Sequence, residues 1–204
     1  MSRIRIFLLA AITLSQPNLW SQCPGFPDYP GAADCIDFDP LTSNTNVNAG
    51  DTLGVCGSYV TTDNYTGINM GGGVIRICGN VSMNLNFNAG TIVVQCGSTL
   101  YLPNGVSMNS NCMIVNYGNV EITGDLNFPN NNNCFYNIGS NSRLIVSDDI
   151  QMPQNNGQNA YLINEGFMGI ADNLDALEGG FVCCSDGSTI SCDDFRYMNN
   201  CSNL

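Results

Sequence analysis

The sequence predicts an all-β protein, a parallel β-solenoid of about six coils, and two observations carry that prediction. First, Asn48-Ala-Gly-Asp-Thr-Leu-Gly-Val-Cys56-Gly57 returns as Asn88-Ala-Gly-Thr-Ile-Val-Val-Gln-Cys96-Gly97, and Val74-Ile-Arg-Ile-Cys78-Gly79 repeats its second half. Second, the frame continues through Asn116-Tyr-Gly118, Asn137-Ile-Gly139 and Asn164-Glu-Gly166, with junction glycines 22, 18, 21, 21 and 27 residues apart. Self-similarity at a fixed short period marks a stack of small units. The period is too short for a helix pair, and the runs are rich in Val, Ile, Thr and Tyr with Gly and Asn between them, which favours strands joined by turns. Stacked coils then bury a continuous core that no single repeat supplies.

Taken in chain order, residues 1–22 read as a secretory signal. Arg3 and Arg5 precede an apolar run from Ile6 to Leu14 that is too short for a membrane span, and a polar segment follows it. Residues 23–45, with Pro24, Pro27, Pro30 and Pro40 among acidic and aromatic residues, are expected to form an irregular N-terminal cap that shields the first strand edge. Residues 46–177 make the solenoid. Residues 178–204, rich in cysteine, are expected to cap the other end.

Two apolar columns run through the repeat. In the first strand Leu53, Ile75, Val93, Ile114, Phe135 and Leu162 are assigned to the interior, and two residues further on the same parity carries Val55, Ile77, Gln95, Asn116, Asn137 and Asn164. An aliphatic stack therefore gives way to an amide stack, and side-chain amides in register hydrogen-bond from strand to strand. About half a repeat after each Gly comes an apolar-polar-apolar triplet: Ile68/Met70, Leu85/Phe87, Val106/Met108, Leu126/Phe128, Ile150/Met152 and Leu174/Ala176. That alternation marks a strand with one buried face.

Eleven cysteines in a chain with a secretory signal point to disulfides. Cys56, Cys78 and Cys96 occupy one position of the repeat. Equivalent residues of adjacent coils stand about 4.8 Å apart, inside the Cα window for a disulfide, so a bond between neighbours of this trio is expected. Cys112 with Cys134 is expected to form another, Cys23 with Cys35 to close an N-terminal loop, and Cys183, Cys184, Cys192 and Cys201 to cross-link the C-terminal cap. Zinc is the rival reading of this tail. It is disfavoured because the chain has no His and Cys183-Cys184 are vicinal rather than spaced C-x-x-C.

Charge narrows the partners. The formal net charge is −12, there is no Lys or His, and once residues 1–22 are removed only Arg76, Arg143 and Arg196 face seventeen Asp and Glu. Nucleic acid needs a basic footprint and is excluded, and repulsion disfavours anionic membranes and polyuronates. No apolar stretch reaches the ~20 residues of a membrane helix, so no membrane insertion is expected. The expected location is secreted, extracellular or cell-surface.

Without His or Lys the chemistry rests on carboxylates. Asp148 and Asp149, with Asp125 in the coil before, form a column that can serve as acid and base in glycoside hydrolysis. No cofactor is required. Asp148, Asp149, Asp172 and Asp175 offer oxygen ligands of the kind that hold Ca2+. Binding without catalysis would instead use the turn Asn130, Asn131, Asn132 and Asn133, because Asn tolerates the left-handed backbone of projecting turns. Tyr101 and Tyr117 are exposed aromatic candidates that can stack on sugar or protein surfaces.

The recurring Asn-x-Gly-x-x-apolar-x-apolar unit, as in Asn116-Tyr-Gly-Asn-Val-Glu-Ile122, resembles the repeat regions of secreted, right-handed parallel β-helix proteins of Bacteroidota, many of them large surface adhesins. The likeness covers roughly residues 48–177. It implies a right-handed solenoid and a structural or adhesive, non-enzymatic role contacting a glycan, a surface protein or a neighbouring copy. The C-terminal sorting domain of those proteins has no counterpart before Leu204. Some β-helix proteins act on pectin, which gives the alternative of a small carbohydrate-active enzyme using the Asp cluster, although the Gly-His-Gly of the polygalacturonase pattern is not met.

Overall fold

The computed structural model describes residues 45–60, 67–155, 158–176 and 179–197. Every regular element among them is a strand: β1 (Thr45–Asn48), β2 (Thr52–Val60), β3 (Gly67–Ser82), β4 (Asn84–Val94), β5 (Thr99–Leu102), β6 (Val106–Ser107), β7 (Cys112–Asn116), β8 (Asn119–Ile122), β9 (Leu126–Asn127), β10 (Asn133–Asn137), β11 (Arg143–Val146), β12 (Ile150–Gln151), β13 (Ala160–Asn164), β14 (Phe167–Ile170), β15 (Asn173–Ala176), β16 (Gly180–Cys184), β17 (Thr189–Ser191) and β18 (Asp194–Tyr197). No described helix is long and apolar enough to cross a membrane. The proposed signal at 1–22, Cys23, Cys35 and Cys201, and all of the proposed N-terminal cap but Thr45, lie outside the described residues.

All pairings are parallel, and they stack the chain into a β-solenoid of about six turns. A first face carries β2, the middle of β3, the second half of β4, then β7, β10, β13 and β16. A second face continues from the end of β3 through β5, β8, β11, β14 and β17. A third is built from β1, the starts of β3 and β4, then β6, β9, β12, β15 and β18. β3 runs through all three faces as one 16-residue strand. It bends at Gly71-Gly72-Gly73, where Gly72 takes φ 116° and a Cβ on Gly73 would strike Asn48 O at 2.5 Å.

The core is a stack of aliphatic and aromatic rungs. Ile75, Ile92, Ile114, Phe135 and Leu162 follow one another in register and are fully buried. On the third face every apolar triplet sits as the sequence predicts. Val106, Leu126, Ile150 and Leu174 align with their side chains buried, and Ile68 stacks on the partly buried Leu85.

The amide ladder is equally regular. Asn116, Asn137 and Asn164 are completely buried, and each Nδ2 donates to the next Oδ1 at 2.8 Å. The second N–H of each amide donates to a backbone carbonyl of the following coil, Arg143, Phe167 and Thr189 respectively. In return Asn116 and Asn164 accept from the backbone N–H of Gly118 and Gly166. These polar atoms are therefore satisfied in a water-free position, which is the condition for burying them without a penalty of about 1–3 kcal/mol each.

In the third coil the register differs from the expectation by one residue. Ile92, not Val93, faces the core, and Val94, not Gln95, precedes Asn116 in the ladder. The cause is the length of the corner. Cys78-Gly79 continues the extended strand, with only two residues between Ile77 and Asn80, whereas four residues, Gln95-Cys96-Gly97-Ser98, separate their partners Val94 and Thr99 and form a turn closed by the Ser98 N–H to Gln95 O bond, with Gly97 at φ 77°. Cys96 is thereby thrown out of the Cys56/Cys78 column and is an exposed free thiol.

The expected Cys112–Cys134 bond fails for a different reason, since Cys112 stands two residues before the core residue Ile114 and Cys134 only one before Phe135. Cys112 pairs with Gly90 and lies opposite Asn133, so it points into the core, while Cys134 pairs with Met113 and points out of it. They cannot bond to each other. Cys112 is a free buried thiol, as Cys184 and Cys192 are free, the first exposed and the second partly so. With Cys96 that makes four of the eleven, so the eleven-cysteine disulfide framework is not realised.

The described part of the C-terminal segment is a coil rather than an irregular cap. β16 stacks on β13, β17 on β14 and β18 on β15, so residues 180–197 form one more coil of the solenoid. They follow the same apolar alternation: Ile190 stands in register with Met168, and Phe195 with Leu174.

Candidate functional site

The corner leading into the third face assembles the carboxylates. Leu126, Ile150 and Leu174 align, so the residues before them, Asp125, Asp149 and Asn173, form a column. Asp149 Oδ1 accepts from both the backbone N–H and the side-chain amide of Asn173, at 2.9 and 3.0 Å, and its own N–H donates to Asp125 Oδ1 at 3.4 Å. Asp148 stands one residue earlier and is exposed. Carboxylate oxygens of Asp125, Asp148 and Asp149 lie within 4.8 Å of one another.

Crowding and hydrogen bonding push two neighbouring carboxyls in opposite directions. The negative charge of Asp125 raises Asp148 above the ordinary aspartate value, with Asp149 and Asp172 adding to it. The backbone N–H of Asn173 holds Asp149 below that value, assisted by the side chains of Asn173 and Gln151 and by Arg196. One acid kept protonated longer and one kept ionised is the split that acid-base chemistry uses.

As ligands for a divalent cation the three oxygens have the hard chemistry that Ca2+ takes. Of the other two candidates, Asp172 is exposed beside this trio and Asp175 is elsewhere. Asp175 projects from β15 in register with Gln151 and forms an ion pair with Arg196 at 3.2 Å.

The candidate binding residues separate. Asn131 and Asn132 are exposed, and Asn132, at φ 59°, donates to Oδ1 of Asn111, itself at φ 55°. Asn130 is half-buried. Asn133 is not a surface residue: it is fully buried, its amide bonding the carbonyls of Met108, Asn109 and Asn130 and accepting the N–H of Cys112. Tyr101 is exposed, with its hydroxyl 2.9 Å from Thr123 Oγ1. Tyr117 is half-buried against an outer apolar cluster, and burial raises its phenol pKa.

A feature not anticipated from the sequence lies on the outside of the third face. The polar residue at the centre of each apolar triplet points outward, so Asn46, Asn69, Asn86, Ser107, Asn127, Gln151, Asp175 and Arg196 form one column down the rod. Its first members are tied by amide bonds, Asn69 to Asn46 at 3.1 Å and Asn86 to Asn69 at 3.2 Å. Parallel amide pairs flank it, Asn109 to Asn88 at 2.9 Å and Asn104 to Asn84 at 2.6 Å. The signal was present in the triplets themselves: period-2 alternation places the middle residue outside, and that residue is polar six times in succession. No family model matches the chain, and neither a curated protein nor a solved structure matches it.

Proposed function

We propose that this protein is a secreted or cell-surface structural and adhesive module, a non-enzymatic β-solenoid rod whose third face contacts a glycan or a surface protein. The observation that carries this reading is the column from Asn46 to Arg196 on that face. Side chains with paired donors and acceptors repeat there at the inter-coil spacing of about 4.8 Å, and the amide bonds between neighbours hold them in place before any partner arrives. Amides, a hydroxyl and a carboxylate are the groups that recognise sugar hydroxyls and polar protein surfaces. The net charge directs the preference toward neutral or cationic partners. Asn131 and Asn132 at a turn, and Tyr101 on β5 of the second face, add exposed contact groups.

The split between Asp148 and Asp149 favours a second reading, a small carbohydrate-active enzyme with Asp148 as acid and Asp149 as base. Against it stands the exposure of Asp148, which gives it no apolar pocket to hold a proton near neutral pH.

One set of measurements separates the two. Binding to a glycan and protein panel is compared for the native chain and for Asn127→Ala/Gln151→Ala, alongside reducing-end release from neutral glycans, pectin and alginate with and without Ca2+. The module reading expects binding that weakens at least tenfold in the double variant and no sugar release. Turnover that disappears in Asp148→Asn or Asp149→Asn would overturn it in favour of the enzyme.

A further inference from the structure

The third-face column has the dimensions of a linear polymer rather than of a small ligand. From Asn46 through Asn69, Asn86, Ser107 and Asn127 to Gln151 it presents neutral polar side chains in register, over five coil spacings or about 24 Å. Asn46, Asn86, Ser107 and Gln151 are exposed, and Asn69 and Asn127 half-buried. The neutral tract ends at Asp175, which is ion-paired with Arg196 at 3.2 Å.

Each rung keeps hydrogen-bonding capacity for a ligand. A side-chain amide has two N–H donors and two acceptor lone pairs. Asn69 spends one donor on Asn46 and one acceptor on Asn86, which leaves it one N–H and one lone pair. The Ser107 hydroxyl offers the same combination. Sugar hydroxyls both donate and accept, so two of them on neighbouring ring carbons complement such a rung. The outer amide bonds also run one way, each side chain donating to the coil before it: Asn69 to Asn46, Asn86 to Asn69, Asn109 to Asn88 and Asn104 to Asn84. A ligand with a repeating unit therefore meets the same donor and acceptor orientation at successive steps.

Repeat length selects the polymer. An extended peptide advances about 3.3 Å per residue and about 6.7 Å between residues on one side, neither of which keeps step with rungs about 4.8 Å apart. A β-1,4-linked pyranose chain is a straight ribbon that advances by close to one coil spacing per sugar. The column holds no aromatic ring to stack on a sugar face, so it meets the hydroxyl edge of the ribbon. Asp125 and Asp149 stand two residues before Asn127 and Gln151, and their charge repels uronate chains. We propose that the third face binds an extended, neutral β-1,4-linked polysaccharide lying along the rod, one sugar per coil from Asn46 to Gln151. This rests on the module reading above and narrows its partner to one chemical class.

Calorimetric titration of the full chain with β-1,4-linked gluco-oligosaccharides of increasing length tests it, with an α-1,4-linked series, whose chains coil, as control. Affinity is expected to rise about threefold per added sugar and to level off at about six sugars, one for each rung at the inter-coil spacing. The α-linked series is expected to show no such rise. Asn46→Ala and Gln151→Ala remove the two end rungs, and each is expected to bring the plateau one sugar earlier while the affinity for the shortest oligomers stays unchanged, which a folding defect would not produce. Glycan binding that is independent of length, that is equal for the two linkages, or whose plateau neither end variant moves overturns the proposal and leaves the module reading standing. Binding confined to protein surfaces does the same. Sugar release that disappears in Asp148→Asn overturns both.

Discussion

Asn137 accepts a hydrogen bond from Asn116 and donates one to Asn164, both at 2.8 Å, at the centre of a ladder from which water is excluded. Each amide fixes the position of two coils, since its other N–H holds a carbonyl of the next turn. The ladder thus sets coil spacing with directional bonds where an aliphatic rung would set it by volume alone.

Replacing its middle rung tests how much stability those bonds supply. Asn137→Ala leaves one N–H of the Asn116 amide without its acceptor and takes a donor from both Asn164 Oδ1 and the Phe167 carbonyl, while the Asn116 bond to the Arg143 carbonyl and the Gly166 bond to Asn164 remain. A loss of about 3–4 kcal/mol is expected after partial relaxation, read as a lowered midpoint in urea. Arg143→Ala, which removes only an exposed guanidinium over the Phe167 ring at 4.9 Å, is expected to cost less than about 1 kcal/mol.

Core rungs carry a harsher test of register. Ile114→Asp or Phe135→Asp places an unpaired charge between stacked coils, at a cost of several kcal/mol, and folding is expected to fail. A circular-dichroism melt of Ile114→Asp that matches the native chain would contradict the register.

Thiol reactivity distinguishes the misaligned cysteines. Burial pushes the Cys112 thiol up to about 12, against the opposing effect of the Ser110 and Asn109 backbone, so it is neither accessible nor ionised at pH 8. Iodoacetamide is expected to label exposed Cys96 in the native protein and Cys112 only after unfolding. Mass spectrometry of the labelled peptides reads this directly, and rapid native labelling of Cys112 would place it outside the core.

The carboxylate corner predicts two titrations of opposite sense. Asp149, held below the usual value by the Asn173 N–H, adds stability above its unfolded pKa and loses it as pH falls through its lower folded pKa. Asp148, raised chiefly by Asp125, opposes folding while ionised, and that opposition is relieved as pH falls through its higher folded pKa. Carboxyl-carbon NMR is expected to show Asp148 protonating before Asp149 on acidification. In Asp125→Asn the Asp148 titration is expected to move down toward 3.8, the ordinary value.

The sequence alone determined the fold class, the third-face rungs and the buried amides. In each case a short period repeats without ambiguity: Ile-Asn-Met, Leu-Asn-Phe and Leu-Asn-Phe again leave one parity for the interior, and Asn116, Asn137 and Asn164 each stand two residues before a glycine. It also brought Asp125 and Asp149 to one column, because both directly precede an inward aliphatic residue of the third face.

Tertiary structure decided what depends on corner length and on packing from outside. Cys78-Gly79 and Cys96-Gly97 are identical as text, yet one is extended strand and the other a turn, and a one-residue slip exchanges the two sides of a strand. That slip separates Cys96 from the Cys56/Cys78 column and Val93 from the core. The outer apolar side of the first face left a trace in unbroken runs such as Met113-Ile114-Val115 and Tyr161-Leu162-Ile163, the pattern of strands buried on both sides. A strand's sequence reports that both sides are buried; which segment covers the second side depends on contacts far apart in the chain, and local periodicity carries no record of them.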